Sequence, residues 1–149
     1  MTYEEAIRRV NKGERFEDYK TLKLANEDGN TVAHWQASRG WTTEDPEILK
    51  LANGDGYTVA YWQAHKGWTT EDPEILKLDN GGDWTVAHYQ ARKGWTTEDP
   101  DILKLADEDG QTVAHWQASE GWEPKTKEAK AYILTERLRS RVVCSSFFE

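Results

Sequence analysis

A stretch of 27 residues, WTTEDPEILKLANGDGYTVAYWQAHKG from Trp41 to Gly67, returns with few changes at Trp68 and again at Trp95. A fixed period of that length signals stacked supersecondary units, each touching only its neighbours, rather than one closed core. The 149 residues hold about five such units. Hydrophobic residues make up 37% of the chain, too few for a membrane span, while eight Trp argue against disorder, which is poor in aromatics.

Carried backwards, the frame reaches the start of the chain in a worn form. Gly13 falls on the place of Gly40, Leu22 on Leu49, Leu24 on Leu51 and Ala25 on Ala52, while Glu14 stands where the signature Trp would be. A first helix over Tyr3 to Val10 carries Glu4, Glu5, Arg8 and Arg9, as suits an end unit whose outer face must be wetted. Residues 1–27 are therefore expected to form a degenerate N-terminal cap, 28–122 the full repeats, and 123–149 a C-terminal capping helix and tail.

Each unit opens on a turn. Asn26-Glu27-Asp28-Gly29, Asn53-Gly54-Asp55-Gly56 and Asp107-Glu108-Asp109-Gly110 supply residues that bond their own backbone or tolerate left-handed dihedrals, and the third copy reads Asn80-Gly81-Gly82-Asp83. A first helix follows, Thr31 to Arg39 in the first full copy, with Thr31 as cap and Val32, Ala33, Gln36 and Ala37 at helical spacing. Gly40 ends it. The second helix starts at Asp45-Pro46-Glu47, where a cap, a first-turn Pro and an acid at the positive helix end coincide, and Ile48, Leu49, Leu51 and Ala52 form its apolar side. Helices of about two turns are too short to stand alone in water, so stability must come from stacking.

Past Trp122 the pattern changes. Pro124 opens a longer helix, Lys125 to about Val143, with Ala131, Leu134, Leu138 and Val142 as one apolar stripe. From Lys125 to Arg141 six Lys or Arg stand against two Glu, a net +4, which leaves −12 on the rest of a chain whose total is −8. The tail ending in Phe147 and Phe148 either folds back on this lid or self-associates with another chain.

Gly29, Thr31, His34, Ala37 and Gly40, and again Gly56, Thr58, Ala64 and Gly67 with Tyr61 in the His place, follow the order and spacing of an ankyrin repeat, which the chain resembles over 28–122. Val32 replaces the usual Pro, and the unit is 27 residues against about 33 in ankyrin proteins. The resemblance implies an all-α, right-handed ankyrin-like helix-turn-helix solenoid of about five short units with a C-terminal capping helix, lacking most of the β-hairpin finger. It also implies that turn tips and first-helix ends touch a partner protein.

The residues suggest no catalytic chemistry. His34, His88 and His115 share one register, but helices pack about 8–10 Å apart, so their imidazoles are too far apart for one ion and are read as structural, bonded to turn backbone. Asp107 to Gly110 has the start of a calcium loop, yet Trp116 stands where the twelfth-position Glu is needed. Glu44, Asp45 and Glu47, with their copies at 71, 72, 74 and 98, 99, 101, form an acidic ladder read as caps and solvated charge. No Ser-His-Asp set, activated Cys or phosphate loop is present, so neither enzyme activity, metal nor cofactor is expected.

The columns Trp41, Trp68, Trp95, Trp122 and Trp35, Trp62, Tyr89, Trp116 are read as inter-unit packing. Positions that stacking does not fix vary between copies, and these are Asn30, Tyr57, Trp84 and Gln111; Ser38, His65, Arg92 and Ser119; and Arg39, Lys66, Lys93 and Glu120. They form the candidate partner-binding surface, with Tyr57 and Trp84 as dispensable-for-folding anchors beside Lys66, Arg92 and Lys93. The expected function is a non-enzymatic adaptor or inhibitor binding a protein. The alternatives are an acidic decoy of a nucleic-acid-binding protein, such as a phage-encoded anti-defence protein, and a purely structural oligomerising element. Net charge −8 disfavours direct nucleic-acid or membrane binding. The lone Cys144 and a start without an apolar leader segment suit the cytoplasm.

Overall fold

The computed structural model describes residues 1–80 and 84–133. Among them the chain is an all-α solenoid of helices α1 (Tyr3–Asn11), α2 (Tyr19–Leu22), α3 (Val32–Ser38), α4 (Pro46–Leu49), α5 (Val59–His65), α6 (Pro73–Leu76), α7 (Val86–Arg92), α8 (Pro100–Leu103) and α9 (Val113–Ser119). A further helical segment begins at 127. The longer helices stack in single file, α1 on α3, α3 on α5, α5 on α7 and α7 on α9, and each one-turn helix packs against the longer helix that follows it.

Local chemistry sets the helix starts. Thr31, Thr58, Thr85 and Thr112 each accept with their hydroxyl oxygen from the backbone N–H three residues on. Asp45, Asp72 and Asp99 cap the short helices, with Pro46, Pro73 and Pro100 in the first turn. The short helices are one turn of four residues, not the two turns expected from the apolar run. The reason is a competing bond. Leu51 O accepts from Val59 N at 3.0 Å, and Leu78 and Leu105 do the same toward Val86 and Val113, so these residues already belong to the following turn.

Each turn is closed by a single β-bridge, Ala25 with Thr31, Ala52 with Thr58, Asp79 with Thr85 and Ala106 with Thr112. Among the described residues that bridge is all there is of a hairpin. Asn26 and Asn53 accept with Oδ1 from the N–H groups two and four residues on, each at 3.0 Å. Successive turns also touch. Gly54 N donates to Asp28 O at 2.8 Å, and Asn53 Nδ2 donates to Asn30 Oδ1 at 2.8 Å. A Cβ on Gly54 would lie 2.8 Å from Asp28 O, so the close approach requires glycine.

The core runs along the stack in overlapping clusters that each draw on adjacent units, such as Val32, Ala33, Ala37, Ile48 and Val59. Ala33, Ala60, Ala87 and Ala114 are fully buried between neighbouring helices, where a larger side chain would hold the backbones apart. At the C-terminal end, Ala129 and Ile133 join Leu103 and Ala114, so the start of the last helix covers the final unit. It begins at 127 rather than at Lys125, because Thr126 Oγ1 accepts from Ala129 N at 3.1 Å and sets the cap. The buried face is Ala129 and Ile133, and Ala131, expected on the apolar stripe, is exposed, because the helix lies on Leu103 and Ala114 through the other side. The other expected stripe residues, Leu134, Leu138 and Val142, and the tail with Phe147 and Phe148 lie outside the described residues.

Candidate interaction surface

Residues that are the same in every unit serve the stacking. Gln36, Gln63, Gln90 and Gln117 are almost wholly buried. Each holds the preceding unit's loop by both ends of its amide. Gln63 Oε1 accepts from Thr43 N at 2.9 Å while its Nε2 donates to Thr43 O at 3.2 Å, and Gln90 and Gln117 repeat this on Thr70 and Thr97. Gln36 does so on Phe16, which ties the N-terminal cap to the array. The sequence carried a signal for this ladder, a polar residue kept in all copies at an apolar helical register.

A second ladder adds to the reading of the acidic one. The indole Nε1 of Trp41, Trp68, Trp95 and Trp122 donates to the carboxylates of Glu17, Glu44, Glu71 and Glu98 at 2.9–3.1 Å. Glu44, Glu71 and Glu98 are exposed charge, and they also accept across the unit boundary. Among the remaining acids, Glu74 pairs with Lys50 and Asp101 with Lys104, both at 3.1 Å.

His34 and His88 use both ring nitrogens. Nδ1 of each accepts from the cap Thr, and Nε2 donates to the next unit's turn carbonyl, Tyr57 O at 3.0 Å and Gln111 O at 3.3 Å. Burial holds both imidazoles below the ordinary histidine range, so they are neutral and have no free lone pair for a metal. Among the described residues no group of three His, Cys, Asp or Glu gathers to hold an ion.

The variable positions divide into two sets. The turn-end column of Asn30, Tyr57, Trp84 and Gln111 is half-buried. Tyr57 and Trp84 are not free-standing anchors: Tyr57 lies 4.7 Å from Tyr61 and 6.1 Å from Trp62, and Trp84 lies 5.1 Å from Tyr89 and 5.2 Å from Trp116, centroid to centroid. Tyr57 packs on the helix of its own unit and Trp84 also reaches the next unit, so truncation removes packing as well as surface. The helix-end columns are more open. Arg39, His65, Lys66, Arg92, Lys93, Ser119 and Glu120 are exposed, while Ser38 is half-buried with its hydroxyl on Trp35 O.

Together these positions lie along one face. Tyr61 meets Tyr89 edge-on at 4.7 Å, which joins the Tyr57–Trp62 group to the Trp84–Trp116 group. A cavity of about 160 Å³, lined by Asn30, His34, Trp35, Ser38 and Trp62, links the first unit to the same strip. The contact between Tyr61 and Tyr89 was hidden in two separate sequence departures, Tyr for His in one unit and Tyr for Trp in the next. Tyr89 is raised well above the usual tyrosine range by burial first and by Tyr61 second, so its phenol stays protonated and accepts from Asn80 Nδ2 at 3.3 Å.

One unit later, Asp107 and Trp116 occupy the places of Asn80 and Tyr89. Asp107 Oδ2 and Trp116 Nε1 are buried without a hydrogen-bond partner. The exchange reverses both roles, an acceptor for the amide donor and a donor for the phenol acceptor, but the bond made by Asn80 and Tyr89 is not repeated.

No protein-family model matches the chain, and no curated protein is significantly similar to it. Among the described residues no helix is long and apolar enough to cross a membrane.

Proposed function

We propose that this chain is an ankyrin-like, non-enzymatic interaction module, an adaptor or inhibitor, that grips a partner protein along the face made by its turn ends and first-helix ends. One observation carries the reading. The positions that change most from copy to copy, the columns of Asn30, Ser38 and Arg39, gather at turn ends and first-helix ends, while the glutamine and the indole that bond to the preceding unit, Gln36 and Trp41 and their equivalents, are the same in every full unit. The turn-end column also gathers half-buried aromatic rings, Tyr57 beside Tyr61 and Trp84 beside Tyr89 and Trp116, and aromatic residues near cations are enriched at protein interfaces.

The acidic-decoy reading draws less support. It needs a continuous field of negative charge, yet exposed Arg39, Lys66, Arg92 and Lys93 line the helix ends, and Glu74 and Asp101 are paired with lysines. The test is to place a photo-crosslinking amino acid at Ser38, His65, Arg92 or Ser119, one per variant, and at Glu47, Glu74 or Asp101 on the opposite edge. The expected result is one protein captured from source-cell extract by the first set and not by the second. Equal capture by both sets, or none by either, overturns the proposal.

A further inference from the structure

The strip has a width, a length and a charge order, and these specify what kind of segment fits it. Across the units, α3, α5, α7 and α9 are seven residues each, about 10 Å long at about 1.5 Å per residue. At their N-terminal ends lie the turns, with exposed Glu27, Asp28, Asp55, Glu108 and Asp109. At their C-terminal ends lie exposed Arg39, Lys66, Arg92 and Lys93. Between these two edges run the rings of Tyr57, Tyr61, Trp62, Tyr89, Trp84 and Trp116, each half-buried.

We propose, resting on the reading above, that this strip takes an extended polypeptide segment laid across the units, with acidic side chains at alternate positions toward the Arg39–Lys93 edge and an apolar side chain in the cavity between Trp35 and Trp62. Four stacked helices at about 8–10 Å spacing cover about 24–30 Å between the outer two. An extended chain rises about 3.3 Å per residue, so eight or nine residues cross them, sending successive side chains to opposite edges. That alternation matches an acidic edge facing a basic one. A uniformly anionic polymer does not match, because the turn-edge carboxylates repel every phosphate that the helix-end cations attract. The cavity of about 160 Å³ is below the roughly 300 Å³ of small-molecule sites and fits a single side chain.

The basic edge is also organised across units. Lys93 Nζ donates to His65 O of the preceding helix, and the Arg39 guanidinium lies over the Trp35 ring at 5.0 Å, so both exposed cations are positioned by a contact within the protein. A cation already positioned loses less side-chain freedom when a carboxylate pairs with it.

The experiment uses the full chain and a fluorescein-labelled copolymer of strictly alternating glutamate and tyrosine, whose extended form sends every carboxylate to one edge, read by anisotropy and by the intrinsic Trp fluorescence. Comparators are a lysine–tyrosine copolymer and a (dT)-oligonucleotide of equal length. Binding to the glutamate–tyrosine copolymer is expected, weakened about tenfold or more by Lys66→Glu with Arg92→Glu. The pair Lys50→Glu with Lys104→Glu makes the same change in net charge on the short-helix side and is expected to leave affinity within about twofold. Far-UV circular dichroism checks that both variants fold.

Several results overturn the assignment: no binding of the glutamate–tyrosine copolymer, equal or better binding of either comparator, or equal weakening by both charge-reversal pairs. If the crosslinking variants capture one protein while the copolymer fails, the partner chemistry is wrong and the strip remains the interface. If crosslinking fails as well, the strip itself is wrong.

Discussion

Replacing Gln90 tests how the array holds together. The side chain is 1% exposed, and its amide accepts from Thr70 N at 2.8 Å and donates to Thr70 O at 3.2 Å. Gln90→Leu keeps the volume and removes both bonds. Each bond contributes about 0.5–1.5 kcal/mol net, and an abandoned buried N–H or C=O costs about 1–3 kcal/mol. Thr70 is half-buried, so water reaches part of it; the expected loss is about 2–4 kcal/mol. Gln90→Glu supplies a sharper version. The protonated acid can donate to Thr70 O and still accept from Thr70 N, whereas the carboxylate faces a carbonyl with no proton between them. Its folded pKa is therefore raised above the unfolded value of about 4.3. Between the two values the unfolded chain binds fewer protons than the folded one, so stability falls as pH rises. Urea denaturation followed by Trp fluorescence, with wild type measured at each pH, should show a deficit that opens above about pH 4.3 and levels off once the buried acid ionises. A Leu variant losing under about 1 kcal/mol, or a Glu deficit that does not change with pH, would refute the reasoning.

Other perturbations read other parts of the fold. Burial lowers the pKa of His34 and His88, so the unfolded chain takes up protons first, and stability present above about pH 6.5 is lost as pH falls below it; the urea midpoint should drop from pH 7.5 to 5.5, less so in a His34→Gln, His88→Gln variant, and imidazole NMR titrations should lie below the ordinary value. Gly54→Ala puts a Cβ 2.8 Å from Asp28 O and displaces the Gly54 N to Asp28 O bond, so a loss of about 1–3 kcal/mol is expected by thermal denaturation, and an unchanged or raised midpoint contradicts the turn packing. Glu71→Ala removes the acceptor of the 2.9 Å bond from Trp95 and leaves the indole in place; at that exposed carboxylate the loss should be about 1 kcal/mol or less by urea titration, and a larger one would mean that the indole bond carries the interface.

The period of 27 residues fixed the architecture before any coordinates, because a unit with one-turn and two-turn helices has nowhere to bury Val32, Ile48 and Leu49 except against the next copy. Caps were equally legible, since Thr31 and Asp45 act through backbone atoms two or three residues away. Bonds across 20 or 24 residues were not. Gln63 reaching Thr43 and Trp68 reaching Glu44 depend on how one unit sits on its neighbour, and the sequence records only that these residues do not change. The candidate surface shows the same division. Which positions vary is a fact of sequence, and it names the columns of Asn30, Ser38 and Arg39. That Tyr57 and Trp84 are half-buried, and that Tyr61 and Tyr89 join them into one strip, was decided by the tertiary structure. Local bonds are written within a few residues of each other, whereas exposure and cross-unit contact follow from a stacking distance and rotation that no single copy contains.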